Sequence, residues 1–107
     1  MNHKIRVPKQ IKITTHTYGV EFNTKECIAG GASGLCKHTF EKLCFDPALP
    51  KGQLDQTFLH EVMHMIERYC VVKLDDTDID RIAEGLAMFL FENLDIQLDW
   101  SLIKEVN

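Results

Sequence analysis

Basic clusters, long apolar runs and closely spaced cysteines are what this sequence lacks. Twelve Lys and Arg against 16 Asp and Glu leave a net charge of −4. The densest cationic stretch is Lys4, Arg6, Lys9 and Lys12, spread among Val and Ile in what reads as a strand. A nucleic-acid binder carries a more concentrated basic footprint, so no nucleic-acid partner is expected. No segment approaches the roughly 18 apolar residues of a membrane span, and "MNHKIRVPKQ" is not followed by the apolar run of a secretory signal. A cytoplasmic protein without a membrane partner is expected. Cys27, Cys36, Cys44 and Cys70 show no CxxC spacing, which favours reduced thiols over a disulfide framework. The glycines of "IAGGASGLC" match neither GK[ST] nor GxGxxG, and the tract reads as a flexible connector or cleft rim.

What is present suffices for one domain spanning residues 1–107, and is too short for two. "KQIKITTHTYGVEFN" alternates apolar and polar residues and predicts an antiparallel hairpin turning near Thr15–Thr17. "HTFEKLCFDP" predicts a third strand, about His38 to Phe45, ended by Asp46-Pro47. The periodicity then becomes helical, from about Gln53 to Val71 and from Asp76 or Thr77 to Leu94, with Thr77 as the expected N-cap. "DWSLIKEV" suggests a short last helix. Strands followed by helices predict a small α+β domain with about three strands in an antiparallel or mixed sheet.

The first long helix contains "FLHEVMHMIE", an HExxH motif. On a wheel of 100° per residue, Phe58, Leu59, Val62, Met63, Met65, Ile66 and Tyr69 share one side, while His60, Glu61 and His64 lie on the other. Imidazoles at i and i+4 approach within about 6 Å at Cβ, which suits two ligands of one tetrahedral zinc. Glu61, at the edge of that side, is placed to take a proton from water. The plain alternative is a solvated histidine pair beside a surface glutamate. A catalytic zinc takes three protein ligands, and Glu67 and Cys70 stand where a metzincin has Gly and His. Glu84, a carboxylate on the largely apolar second helix "DIDRIAEGLAMFLFENL", is the candidate third ligand; it would otherwise sit at a solvated edge or pair with Arg81. Asp80 is either a replacement ligand or an acceptor for the free N–H of a ligating imidazole. Glu67 and Glu92 read as solvated.

HExxH at 60–64 with a Glu 20 positions after His64 resembles the gluzincin branch of zinc metallopeptidases. More closely, "IKITTHTYGVEF", "KLCFDPALP", "FLHEVMHMIE" and "AEGLAMFL" together resemble the small zincin-like domains often encoded by bacteriophages and prophages, over most of positions 8–94. That resemblance implies a minimal zincin-like fold in which His60, His64 and Glu84 bind Zn2+ and Glu61 acts as general base. It implies a zinc-dependent peptidase whose metal-activated water attacks the carbonyl of a peptide or protein substrate, in the host cytoplasm for a phage-encoded enzyme. The substrate would lie along a sheet edge, for which the strand His38–Phe45 is the candidate. The chain departs from thermolysin-like enzymes in having only "AEGLA" around Glu84 and no second domain. The residue that stabilises the oxyanion stays open; His38 and Tyr69 are candidates, and His38 reads also as an ordinary surface residue. The rival class is a zinc-stabilised binding module without turnover, and a domain holding no metal is the third reading.

Overall fold

Ile11 and Ile13 on one strand, and Tyr18, Val20 and Phe22 on the next, give the alternation that builds the hairpin. In the computed structural model, which describes residues 2–106, β2 (Gln10–Ile13) pairs antiparallel with β3 (His16–Phe22) through a turn at Thr14–Thr15. Tyr18 and Val20 are buried. Ahead of them lies β1 (His3–Arg6), so the predicted cationic strand is two strands separated at Val7-Pro8. β1 pairs in parallel with β6 (Ile96–Asp99) near the other end of the chain.

The glycine-rich tract is more ordered than its composition predicts. Asn23 caps α1 (Thr24–Gly30), its side chain accepting the Glu26 N–H at 3.1 Å. Gly31 ends that helix at φ 61°, a left-handed conformation that glycine adopts without steric cost. The chain then enters β4 (Gly34–Lys37) and, after a turn, β5 (Lys42–Phe45). The predicted strand at 38–45 is therefore only its last four residues, and it is not an edge. The main sheet runs β2-β3-β5-β4, with β3 and β5 parallel and the other pairs antiparallel. The edge nearest the helices' chemistry is β4. Burial of Leu43, Cys44 and Phe45 in succession is what an interior strand covered on both faces requires.

α2 (Lys51–Tyr69) lays Leu54, Phe58, Val62 and Met65 on the core of Val7, Tyr18, Val20, Leu43, Phe45 and Ile103. α3 (Asp76–Ala87) packs along α2 through Ile79 and Ala83. Its cap is Asp75, which accepts the Asp78 N–H at 2.8 Å, two residues before the expected Thr77. The helix passes into a π-helical segment, Met88–Asn93. No last helix forms; Ile96 and Leu98 alternate with polar residues in β6, and Glu105 bridges to Phe22. The described residues form a small α+β domain with three α-helices, a mixed four-stranded sheet and a two-stranded parallel one. Among the described residues no helix is long and apolar enough to cross a membrane.

Trp100, just after β6, is centred 5.3–5.5 Å from the rings of Phe22, Phe45 and Phe58. Its Nε1–H donates to Asp55 Oδ1 at 2.8 Å, while Lys51 holds Oδ2 at 2.7 Å. Asp55 is 6 % exposed, so Asp55→Ala would strand the half-buried indole N–H of Trp100. The expected cost is about 1.5–3 kcal/mol in urea unfolding. Asp55→Asn, which keeps an acceptor, should lose less, and an unchanged midpoint for the alanine variant would contradict this role.

Candidate functional site

α2 presents His60 and His64 one turn apart, as their spacing demands, with ring centroids 5.0 Å apart. Their Nε2 atoms face each other at 3.3 Å. Each Nδ1 is directed to a carboxylate: His60 Nδ1 lies 2.8 Å from Asp80 Oδ1 on α3, and His64 Nδ1 lies 3.4 Å from Glu67 Oε1. An ionised carboxylate only accepts, so in the neutral tautomer that donates Nδ1–H to it each ring keeps a lone pair on Nε2. Two lone pairs at that distance repel, and a cation shared between them removes the repulsion. Two nitrogens each 2.0–2.1 Å from a tetrahedral zinc stand about 3.3–3.4 Å apart. The pair therefore fits such an ion, with carboxylates behind the rings in the arrangement that orients ligating histidines.

Of the two roles open to Asp80, its position beside Nδ1 is that of the acceptor behind the imidazole. Glu67 is not simply solvated: its Oε2 also accepts the Leu74 N–H at 3.0 Å, tying the α2–α3 connection to the helix that carries His64. These contacts hold Glu67 below the usual carboxylate range, the Leu74 N–H contributing most and His64 adding to it. Glu84 is exposed on α3, one turn beyond Asp80. Among the described residues, no group of three His, Cys, Asp or Glu surrounds a single point. His60, Glu61 and His64 are brought together; Glu84 is not gathered with them.

Glu61 is 6 % exposed, with Oε2 4.0 Å from His60 Nε2. Burial raises its pKa, against the opposing fields of His60 and His64, and the charge of Asp80 raises it further. A buried carboxyl whose pKa is raised holds a proton more readily than a solvated one, which suits it to proton transfer. The burial comes from β4. A Cβ at Gly34 would stand 2.6 Å from Thr57 Cγ2 and 3.2 Å from Glu61 Cγ, so glycine there lets the edge strand approach the HExxH turn. The glycine tract thus supplies a cleft wall, the role its sequence left open.

Two adjoining depressions, of about 550 and 540 Å3, share Gly34, His60, Glu61 and Asp80. One extends past Ser33, Gln53, Gln56 and Thr57; the other extends past Cys36, His38, His64 and Asp76. Together they form a groove between β4 and α3, with the histidine pair at its centre. Among the described lining residues there is no lysine or arginine, which favours a cation there.

Sequence reasoning did not anticipate the network at the far end of this groove. The Tyr18 hydroxyl lies 2.7 Å from His38 Nδ1 and 2.9 Å from the Tyr69 hydroxyl. Burial, more than the neighbouring Tyr69, drives the Tyr18 pKa upward, so the phenol stays protonated. Burial also lowers the pKa of His38, helped by the positive fields of Arg68 and His64. The apolar alternation of β3 gave Tyr18 as core, but nothing in its spacing to residues 38 and 69 signalled a hydrogen-bonded chain. Neither a family model, nor a curated protein, nor a solved structure matches this chain.

Proposed function

We propose that this protein is a zinc-dependent peptidase of the cytoplasm, built on a minimal zincin-like fold. The observation that carries the reading is the pair of Nε2 atoms facing each other at 3.3 Å, each ring backed by a carboxylate. His60 and His64 would hold the ion, and the third ligand would come from α3, Glu84 by the family resemblance. Zinc, when bound there, supplies the Lewis acidity that makes water a nucleophile at neutral pH and polarises a carbonyl. Glu61 is the base that takes the proton of the attacking water and returns it to the leaving amine. Its burial under β4 excludes bulk water from that exchange. A substrate in extended conformation would add to the sheet along β4, the strand whose open edge borders the groove, by main-chain hydrogen bonds.

The test is hydrolysis of an unstructured polypeptide such as casein by the zinc-loaded protein. Cleavage should stop with a chelator and return when zinc is restored. A protein that keeps one equivalent of zinc and cleaves nothing would contradict the peptidase reading and favour the zinc-stabilised binding module.

A further inference from the structure

The mechanism above leaves the charge that develops on a substrate carbonyl without a donor from the chain itself. His38 follows the edge strand β4 and lines the same depression as His60, Glu61 and His64. Its ring is closely constrained, meeting Tyr18 and Tyr69 edge to face at 5.9 and 6.5 Å between centroids. Tyr18 is fully buried, and its one hydroxyl proton must serve one of two neighbours, His38 Nδ1 or the Tyr69 hydroxyl. The 2.7 Å contact to His38 is the shorter of the two and suits a Tyr18 O–H donating to Nδ1. In that arrangement Tyr18 accepts from Tyr69. With Nδ1 accepting, a neutral imidazole carries its proton on Nε2. Cys36 Sγ stands 3.7 Å from Nδ1 and 3.9 Å from Nε2, too far to hold that proton firmly.

We propose that His38 is a catalytic hydrogen-bond donor whose Nε2–H binds the carbonyl oxygen of a peptide lying across His60 and His64, with Tyr18 and Tyr69 as positioning residues that fix its tautomer. The proposal rests on the peptidase reading and names the group that reading lacks. As the water oxygen bonds to the carbonyl carbon, the C=O π pair moves onto oxygen and Glu61 holds the water's proton. When the C–N bond breaks, the carbonyl re-forms and that proton goes to the leaving nitrogen. His38 keeps its own proton throughout. A fixed donor at that oxygen binds the tetrahedral species more strongly than the ground state, which is what accelerates the step.

Two measurements test this separately. Long-range proton–nitrogen correlation NMR of the metal-free protein should show His38 protonated on Nε2; protonation on Nδ1 would overturn the proposal. In the zinc-loaded protein with dye-quenched casein, His38→Ala should lower kcat about 10²-fold with KM and zinc content nearly unchanged. His38→Gln, which retains an N–H donor, should recover part of the loss. Tyr18→Phe should lower kcat less than His38→Ala does. Unchanged kcat in His38→Ala, or a loss traceable to zinc release, would overturn the role. A wild-type protein that binds zinc and leaves casein intact overturns the peptidase reading and this role with it, whatever the tautomer.

Discussion

Glu61→Gln is expected to cut peptide hydrolysis by about 10²–10⁴-fold while the protein keeps its zinc. The amide fills the same space under Gly34 and β4, so the groove survives, but it cannot accept the proton of the attacking water. A second consequence follows from the burial of the Glu61 carboxyl alone. Burial raises the carboxyl's pKa in the folded, metal-free protein. The stability contributed by the protonated form is therefore fully present below the unfolded value of roughly 4.3 and is lost as pH rises through the folded pKa. Glutamine carries no such charge. At neutral pH the metal-free Glu61→Gln protein should melt higher than wild type, by about 4–8 °C for each kcal/mol recovered. The difference should vanish in acid. Equal melting temperatures across that range would contradict the raised pKa, and full turnover by the variant would remove Glu61 from the proposed role.

The other large effect is expected from the metal. With free zinc at about 1,000 times its dissociation constant, ligation raises stability by about 4 kcal/mol, on the order of 15 °C in a domain of this size. His60→Ala or His64→Ala should abolish most of that shift, because each removes one of the two ring nitrogens that face each other at 3.3 Å. Asp80→Asn weakens the acceptor behind His60 Nδ1 and should lower zinc affinity about 10–100-fold. A larger loss from Glu84→Gln than from Asp80→Asn identifies Glu84 as the third ligand; the reverse order gives that place to Asp80. Thermal denaturation across a zinc titration measures all four variants, and a zinc shift that persists in both alanine variants would contradict the pairing.

Local pattern accounts for most of what could be read from the sequence. The hairpin follows from the alternation of Ile11, Ile13, Tyr18 and Val20, and α2 from the apolar side of "FLHEVMHMIE". His60 and His64 meet because four residues make about one helical turn. The errors come from contacts that no short window contains. β5 is interior because β4 pairs on its far side, and β4 lies in a tract whose glycines suggested a flexible connector or cleft rim rather than a strand. One local signal there went unused: Asn23 stands three residues before Glu26, an N-cap spacing that announces α1. The parallel pairing of β1 with β6 joins His3 to Ile96, so neither strand's partner was visible from its own residues. Asp80 was legible only as two alternatives, since its position beside His60 depends on how α3 packs against α2. The Tyr69–Tyr18–His38 chain draws on three separate elements and could appear only once they were folded together.

The most direct test of the zinc site is X-ray absorption spectroscopy at the zinc edge, on protein loaded with one equivalent of metal. The account predicts two imidazole nitrogens and one or two oxygens at about 2.0–2.1 Å, with no sulfur. Sulfur at about 2.3 Å, drawn from Cys36 or another of the four free thiols, or failure of the protein to retain zinc, would contradict it.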